Sequence, residues 1–383
     1  MVGKKRKIRV AFCLRDMKIG GVESVLTRTL DKLSQYSDLQ ITVITYTSIR
    51  GEWRGWFDAH KNISVRTLYP CKLLGTDLPH FFLFRLVKHI VRDVYRWGRR
   101  VLFNKRMFRN LDVVIDYYDF DCARELSKLK IPRIAWWHSS SDKFNDGKYV
   151  RYLRNYEKFV VLTDAFAEEL RKKYPDYADK IMRIYNPLNV DMVREKAKWA
   201  NVHRGDFFVC VSRLVNGKDI KTLIHAFNKF WQNNKKPNID LLIVGDGYAR
   251  TRFESIAKSV AASKHIVFAG AVDNPFGFMR GARANILSSV GEGLPTVLLE
   301  GSALGTLNIA SDCPNGPREI LMNGRAGLLF PVGDIDMLAK HLTAVYNDTA
   351  DVKKMISVAN KNMKRFDAAQ IADQIHDLIL HYI

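Results

Sequence analysis

Short apolar runs rich in β-branched residues alternate with segments of helical periodicity along both halves of this 383-residue chain. Neighbouring parallel strands need a crossover, which is usually a helix, so the alternation predicts parallel sheets covered by helices. The predicted strands are 8–14, 39–46, 63–67, 112–115, 131–137, 158–162 and 181–184, then 207–211, 239–244, 266–269, 284–287, 307–310 and 327–329. The sequence therefore predicts an α/β protein with two doubly wound, Rossmann-like sheets that bind ligands at the carboxyl ends of their strands.

Turn chemistry at Asn186-Pro187-Leu188-Asn189 interrupts this pattern and marks a domain boundary. We place an N-terminal domain at 1–187 and a C-terminal domain at 188–367. The remaining stretch, 368–383, is predicted to be a helix that can cross back onto the first domain. A chain of this length is too long for one ordinary domain and suits two.

The net charge of +21 is distributed unevenly. Residues 1–200 contain 40 Lys and Arg against 23 Asp and Glu, whereas residues 201–383 contain 21 against 17. The excess in the first half favours a front domain that faces an anionic partner. A nucleic-acid-binding protein is the alternative that this charge suggests. Because the sequence has no zinc-finger spacing and no aromatic RNA-binding motif, we expect no nucleic-acid partner.

The stretch 81–103 combines apolar and aromatic residues at helical spacing with a row of cations. It fits the surface of an anionic bilayer, and a helix packed on the sheet with a solvated basic face is the alternative. The predicted membrane contacts are Arg85, Lys88, Arg92, Arg96, Arg99 and Arg100. No run approaches the roughly 18 apolar residues of a membrane span, and residues 8–14 are better explained as a strand than as part of a signal peptide. We expect a cytoplasmic protein, peripheral on the inner face of the plasma membrane.

The sequence gives little support to a metal site. The five cysteines are scattered and form no C-x-x-C pair, so we expect a reduced compartment, no disulfide framework and no zinc. Asp116, Asp119 and Asp121 could suggest metal ligands, but they also fit an ordinary surface turn after a strand, and we predict no metal there.

One loop of the second half suits a phosphate-containing ligand. Arg213 and Lys218 lie five positions apart on a glycine-containing loop after a predicted strand, where two cations can hold a diphosphate. Solvated loop charges are the alternative. The turn Gly245-Asp246-Gly247 ends the next strand, lacks the G-x-G-x-x-G spacing of a dinucleotide fold, and is expected to be a plain turn.

The segment Glu292-Gly293-Leu294-Pro295-Thr296-Val297-Leu298-Leu299-Glu300 is the most informative. A helix is predicted to open near Pro295, and the free amides of its first turn make an anion site. Glu292 lies on the loop and Glu300 about one turn into the helix, so both can reach one ligand at the helix N-terminus. A carboxylate suits such a ligand because it can accept two hydrogen bonds from a diol. A capping or salt-bridging pair is the alternative.

Two features of the first half face the same ligand in this interpretation. Gly20 and Gly21 follow the first strand and open a helix, which permits close approach of the backbone to a ligand, although a plain strand-to-helix turn fits as well. His138 ends a predicted strand, where its imidazole can bind a sugar hydroxyl or move a proton, or can simply cap the following turn.

The E-x7-E segment at 292–300, the Ser212–Asp219 run, the V-G-D-G turn and the Gly20-Gly21-Val22-Glu23 motif together resemble glycosyltransferase family 4. The resemblance covers essentially the whole chain and implies a GT-B fold, retention of anomeric configuration and transfer without a metal or another cofactor. It departs at Pro295, which has no N–H to offer a phosphate, and at Gly217, where a glutamate is usual.

The resemblance also implies residue roles. Arg213 and Lys218 would neutralise the leaving diphosphate, Glu300 would bind the ribose, and Glu292 and His138 would hold the donor sugar. The amides around Gly293, Leu294, Pro295, Thr296 and Val297 would lie near the phosphates, with Gly20 and Gly21 across the cleft and residues 269–273 along the base. The segment 312–319 resembles members that build lipopolysaccharide or lipid-linked oligosaccharides from UDP-galactose or UDP-N-acetylhexosamines. We therefore expect a UDP-sugar donor and a lipid-linked or lipopolysaccharide glycan acceptor, with a non-catalytic sugar-nucleotide-binding relative as the alternative.

Overall fold

The computed structural model describes residues 6–17, 20–49, 51–68, 98, 107–145, 147–198 and 203–383. The six cations predicted to contact a membrane lie outside these residues, as does most of the stretch 81–103. Among the residues that are described, none of the helices has the length and apolar character needed to cross a membrane.

Within the described residues, the first sheet has seven parallel strands in the order β3-β2-β1-β4-β5-β6-β7. Their bounds are β1 Ile8–Leu14, β2 Leu39–Thr45, β3 Ile63–Thr67, β4 Val113–Asp116, β5 Arg133–Trp136, β6 Lys158–Val161 and β7 Ile181–Arg183. The strand order reverses between β1 and β4, so a crevice opens at their carboxyl ends.

The second sheet repeats this plan with six parallel strands in the order β10-β9-β8-β11-β12-β13. Their bounds are β8 Phe207–Val211, β9 Asp240–Val244, β10 Ile266–Gly270, β11 Ala284–Leu287, β12 Asn308–Ser311 and β13 Leu328–Phe330. Its switch point lies between β8 and β11. The prediction of two doubly wound sheets is confirmed, and each predicted strand is present with ends shifted by at most two residues.

Helices cover both sheets, and side chains of the sequence cap several of them. Thr163 accepts a hydrogen bond from the Phe166 amide, and Asp367 accepts from two amides of the last long helix. The α-helices are Gly21–Leu33, Glu52–Ala59, Ala123–Leu126, Ser141–Asn145, Val150–Leu153, Asp164–Lys173, Val190–Lys198, Ile220–Asn233, Arg250–Lys258, Phe276–Gly281, Thr296–Leu304, Gly316–Ile320, Ile335–Tyr346, Val352–Asn362 and Ala368–Leu380. Short 3₁₀ turns occur at Pro175–Lys180, Asn216–Lys218, Ser263–His265 and Met363–Phe366.

The chain passes between the two sheets twice, and the two crossings lie side by side. The Leu188 amide donates to the Phe366 carbonyl at 2.8 Å. Beyond this point the helix Ala368–Leu380 packs against the helix Gly21–Leu33 of the first half. There the His376 ring stacks on Tyr36 with centroids 4.3 Å apart, and its Nε2 lies 2.9 Å from an Asp38 carboxylate oxygen. The final helix therefore contacts the N-terminal sheet unit.

Candidate active site

A cleft of about 450 Å³ opens where the switch points of the two sheets face each other. Loops after β1, β4 and β5 form one wall, and loops after β8 and β11 form the other. Of the residues that the sequence predicts for the phosphate and sugar parts of the site, all but Gly20 line the cleft. The lining includes Gly21, His138, Arg213, Lys218, Glu292, Gly293, Leu294, Pro295, Thr296, Val297 and Glu300. The predicted residues therefore come together, while their individual roles stay predictions.

The loop before Glu300 has the geometry that its sequence predicts. The helix starts at Thr296 with Pro295 as its extended N-cap residue, and Thr296 and Val297 face the cleft. The first-turn amides of such a helix favour an anion. Gly293 is required by packing, because a Cβ there would overlap the His138 backbone carbonyl on the opposite wall. The same glycine loop thus brings the helix N-terminus next to the histidine.

The cations of this wall differ in their surroundings. Arg213 is exposed at the cleft, whereas Lys218 is half-buried. The Lys218 ammonium forms an ion pair with a Glu292 carboxylate oxygen, which also accepts a hydrogen bond of 2.6 Å from the Ser289 hydroxyl. Glu292 therefore holds Lys218 at the edge of the cleft, within reach of a diphosphate at the helix N-terminus.

The turn Gly245-Asp246-Gly247 supports the loop that carries Arg213. The prediction of a plain turn did not include this contact. A Cβ at Gly245 or Gly247 would overlap the backbone of Ser212 or Leu214, and the Leu214 amide donates to the Asp246 carbonyl at 2.9 Å. The turn fixes the position of Arg213 from behind. Residues 269–273, expected to line a nucleotide base, are not among the residues that line this cleft.

His138 occupies the opposite wall as a buried imidazole. Its ring lies 4.7 Å from that of Tyr117 and is hydrogen-bonded to the Tyr117 backbone, and Nε2 is buried with no protein partner. Burial lowers the pKa of His138 to about 4, so the ring is neutral near pH 7. In a neutral imidazole, one ring nitrogen carries the proton and the other carries a lone pair. When one nitrogen donates to a backbone carbonyl, the other, here Nε2, can accept a hydrogen bond from a hydroxyl.

Asp119 shapes the His138 loop, and here the surface-turn interpretation is wrong. Asp119 is buried and accepts hydrogen bonds from the His138 amide at 2.7 Å, from Ser139 and from the Lys143 ammonium at 2.8 Å. The sequence could have suggested this, since a polar residue at the end of β4 lies beside the end of β5 in a parallel sheet. Asp119 is a backbone anchor for the catalytic candidate.

Asp116 is also buried, contrary to the same interpretation. It accepts hydrogen bonds from the Tyr156 hydroxyl at 2.6 Å and the Cys122 amide at 3.2 Å. Burial raises the pKa of Asp116 to about 8, and the nearby Asp121 and Glu125 add to the shift. Among the described residues, no group of three or more potential ligands is arranged to hold a metal ion.

The family model described as glycosyl transferases group 1 matches residues 191–362, the half that carries Arg213, Lys218, Glu292 and Glu300. Residues 191–362 therefore resemble that family. The matched residues contain the whole E-x7-E segment. They begin at residue 191, shortly after the predicted domain boundary, and so leave out the first part of the connection that leads into β8.

Two curated relatives extend the similarity toward the first half. The chain is 26% identical over 272 residues to the GalNAc-alpha-(1->4)-GalNAc-alpha-(1->3)-diNAcBac-PP-undecaprenol alpha-1,4-N-acetyl-D-galactosaminyltransferase of Campylobacter jejuni, covering 70% of this chain and 74% of that one. It is 25% identical over 257 residues to the lipopolysaccharide 1,6-galactosyltransferase of Salmonella typhimurium, covering 64% and 66%. An uncharacterized glycosyltransferase of Methanocaldococcus jannaschii matches at 25% identity over 45% of this chain, but over only 44% of its own length.

Solved structures share the fold over nearly the whole chain. The apo form of a lipopolysaccharide outer core galactosyltransferase superposes with a TM-score of 0.69 at 19% identity, covering 98% of this chain and 100% of that one. HepE of Anabaena in complex with UDP-glucose gives 0.74 at 18% identity, with the same coverage. The predicted GT-B fold is confirmed.

Proposed function

We propose that this protein is a retaining glycosyltransferase that moves a hexose or N-acetylhexosamine from a UDP-sugar to a lipid-linked or lipopolysaccharide glycan at the cytoplasmic membrane face. The observation that carries the proposal is the two-walled cleft. It places cations, a helix N-terminus and two glutamates on one side and the buried His138 on the other. A sugar nucleotide needs cations and amide groups for its phosphates and hydrogen-bond partners for the hydroxyls of its ribose and its sugar.

In this proposal the diphosphate binds Arg213, Lys218 and the first-turn amides of the helix Thr296–Leu304. The bond between the sugar C1 and the diphosphate oxygen breaks, and its electron pair stays on that oxygen. The acceptor hydroxyl oxygen bonds to C1 from the same face, and its proton passes to the departing phosphate oxygen. The cations and amides stabilise the charge that develops there, so the reaction requires no metal, and we expect EDTA to leave the rate unchanged.

The neutral His138 would accept a hydrogen bond from a donor hydroxyl through Nε2, with Glu292 holding other hydroxyls from the opposite wall. A UDP donor is favoured by the resemblance to family 4 and by the HepE complex with UDP-glucose. The acceptor class follows the names of the relatives, one acting on an undecaprenol-linked glycan and one on lipopolysaccharide. The predicted basic surface at residues 85–100 would bring the enzyme to such acceptors.

A thermal-shift panel of UDP, GDP, ADP and NAD tests the donor site. We expect UDP to raise the melting temperature of the wild type most, and this shift to shrink in Glu300→Ala. Glu168→Ala, an exposed carboxylate on the helix Asp164–Lys173, is the control and should keep the full shift. No stabilisation by any nucleotide would contradict the donor assignment. Transfer assays with UDP-galactose and UDP-N-acetylhexosamines then separate an enzyme from a relative that binds donor without transferring it.

A further inference from the structure

An arginine of the first domain reaches the predicted ribose carboxylate of the second. Nη2 of Arg28, on the helix Gly21–Leu33, lies 2.7 Å from Glu300 Oε1 on the helix Thr296–Leu304. Both side chains are largely buried, with 14% and 11% of their surface exposed. A charge-assisted hydrogen bond in such surroundings fixes its acceptor more firmly than an exposed ion pair does.

The pair leaves the carboxylate able to bind a ligand. Arg28 occupies one lone pair of Glu300 Oε1, whereas Glu300 lines the cleft and a carboxylate can accept about four hydrogen bonds. Arg28 Nη1 is buried with no partner in the protein. A buried N–H without an acceptor costs free energy, which indicates that the arrangement is completed by a further group at this site.

Arg28 is itself held in place by its helix. The neighbours Val25, Leu26 and Leu30 are fully buried in the first domain, and the helix begins at Gly21 on the cleft wall. Thr29, the next residue, hydrogen-bonds to Tyr117, whose backbone holds the His138 ring. One rigid helix therefore connects the carboxylate of one wall with the histidine of the other.

We propose that Arg28 is a positioning residue that orients the Glu300 carboxylate toward the ribose diol of the donor nucleotide. The inference rests on the proposed function, because it assigns the ribose to Glu300. It adds that nucleotide affinity, supplied by residues of the second domain, depends on one residue of the first. The ribose needs two acceptor positions on Glu300, and Arg28 leaves them available, so binding does not require the ion pair to break.

Calorimetric titration with UDP and with 2′,3′-dideoxy-UDP tests this in the full-length protein. Arg28→Ala should weaken UDP binding about ten-fold or more, since a charge-assisted bond that orients the acceptor is lost. It should leave dideoxy-UDP binding within about two-fold of the wild type, because that nucleotide has no diol to place. Arg28→Lys should recover part of the UDP affinity, and Arg28→Ala combined with Glu300→Gln should be no weaker than Glu300→Gln alone.

Arg194→Ala is the matched control. Arg194 donates at 2.9 Å to the Ala303 carbonyl, at the other end of the helix that carries Glu300, and its loss should change neither titration. If Arg28→Ala proves unstable, Arg28→Gln keeps the length of the side chain while removing its charge, and the same ribose-specific loss is expected.

Three results would overturn the inference: equal losses for both nucleotides in the Arg28 variants, unchanged UDP affinity, or tighter UDP binding. Equal losses would mean a general structural role, and tighter binding would mean that Arg28 competes with the ribose for Glu300. A wild type that binds neither nucleotide would contradict the proposed function itself, so the two failures are distinguishable.

Discussion

The two walls of the cleft are built in different ways. In the proposed function, the wall formed by the loops after β8 and β11 is the donor wall. Its ligand-facing groups belong to short segments of one domain and pair across them, as Lys218 does with Glu292 at a separation of 74 positions. The opposite wall, formed by the loops after β1, β4 and β5, is the acceptor wall. There His138 is held mainly by Asp119, which lies in the loop after the neighbouring strand β4, and the acids behind it are buried. The donor wall is assembled from short sequence motifs, whereas the acceptor wall depends more on tertiary packing. Substitutions on the donor wall should therefore change the rate of transfer. Substitutions on the acceptor wall should change the stability of the fold as well as the rate.

Lys218→Ala should have the largest effect on transfer. Removing one preorganised cation from a departing diphosphate typically costs a factor of about 10²–10³ in kcat. Folding should be intact, because Lys218 lies at the edge of the cleft on a short 3₁₀ turn. The rate of sugar transfer and a melting curve on the same sample measure both. Lys221→Ala, an exposed lysine one turn away, should keep the wild-type rate. Unchanged turnover in Lys218→Ala would contradict the assignment of the diphosphate to this wall.

The contrast between the walls also explains what the sequence could predict. The apolar runs predicted each strand in the part of the chain that the structure describes, because buried parallel strands are rich in continuous β-branched residues. The E-x7-E segment predicted the donor wall, since its residues are neighbours on one loop and one helix. Arg28 gave no such signal: it is one of many cations, and it meets Glu300 only after the two sheets pack together. The burial of Asp116 and Asp119 was missed for the same reason, because a turn sequence does not show what covers it.

Asp119→Asn tests the acceptor wall at its anchor. The amide keeps one acceptor oxygen but loses the charge that receives Ser139 and Lys143, so the His138 loop should loosen. We expect a loss of about 1–3 kcal/mol in the free energy of unfolding together with a fall of about 10²-fold in kcat, as expected for a catalytic group displaced by about 1 Å.

Denaturant unfolding and steady-state kinetics on the same preparation separate these two effects. The control is Asp142→Asn, an exposed carboxylate on the helix Ser141–Asn145 that follows the His138 loop, and it should change neither quantity. A variant of Asp119 that loses stability but keeps kcat would show that the anchor is structural and that the placement of His138 does not depend on it.

The smallest effect should come from Asp116, and only as a dependence on pH. Its pKa is raised to about 8 in the folded protein against about 3.9 unfolded, so the folded state binds the extra proton and stability falls as pH rises between these values. The lowered pKa of His138 acts in the opposite direction and fades only about one unit above its unfolded pKa of about 6.5, so between pH 6.5 and 7.5 the contribution of Asp116 is the difference between the slopes of the wild type and Asp116→Asn. There the wild-type stability should fall with pH more steeply than that of Asp116→Asn, by at most about 1.4 kcal/mol per pH unit. Asp116→Asn should lose the Asp116 contribution and keep that of His138, because an amide reproduces the protonated acid toward Tyr156 and the Cys122 amide. Urea unfolding followed by the fluorescence of the buried Trp136 and Trp137 reports on this domain. An identical slope in both proteins would mean that Asp116 is charged in the fold, and the acceptor wall would then resemble the donor wall in its electrostatics.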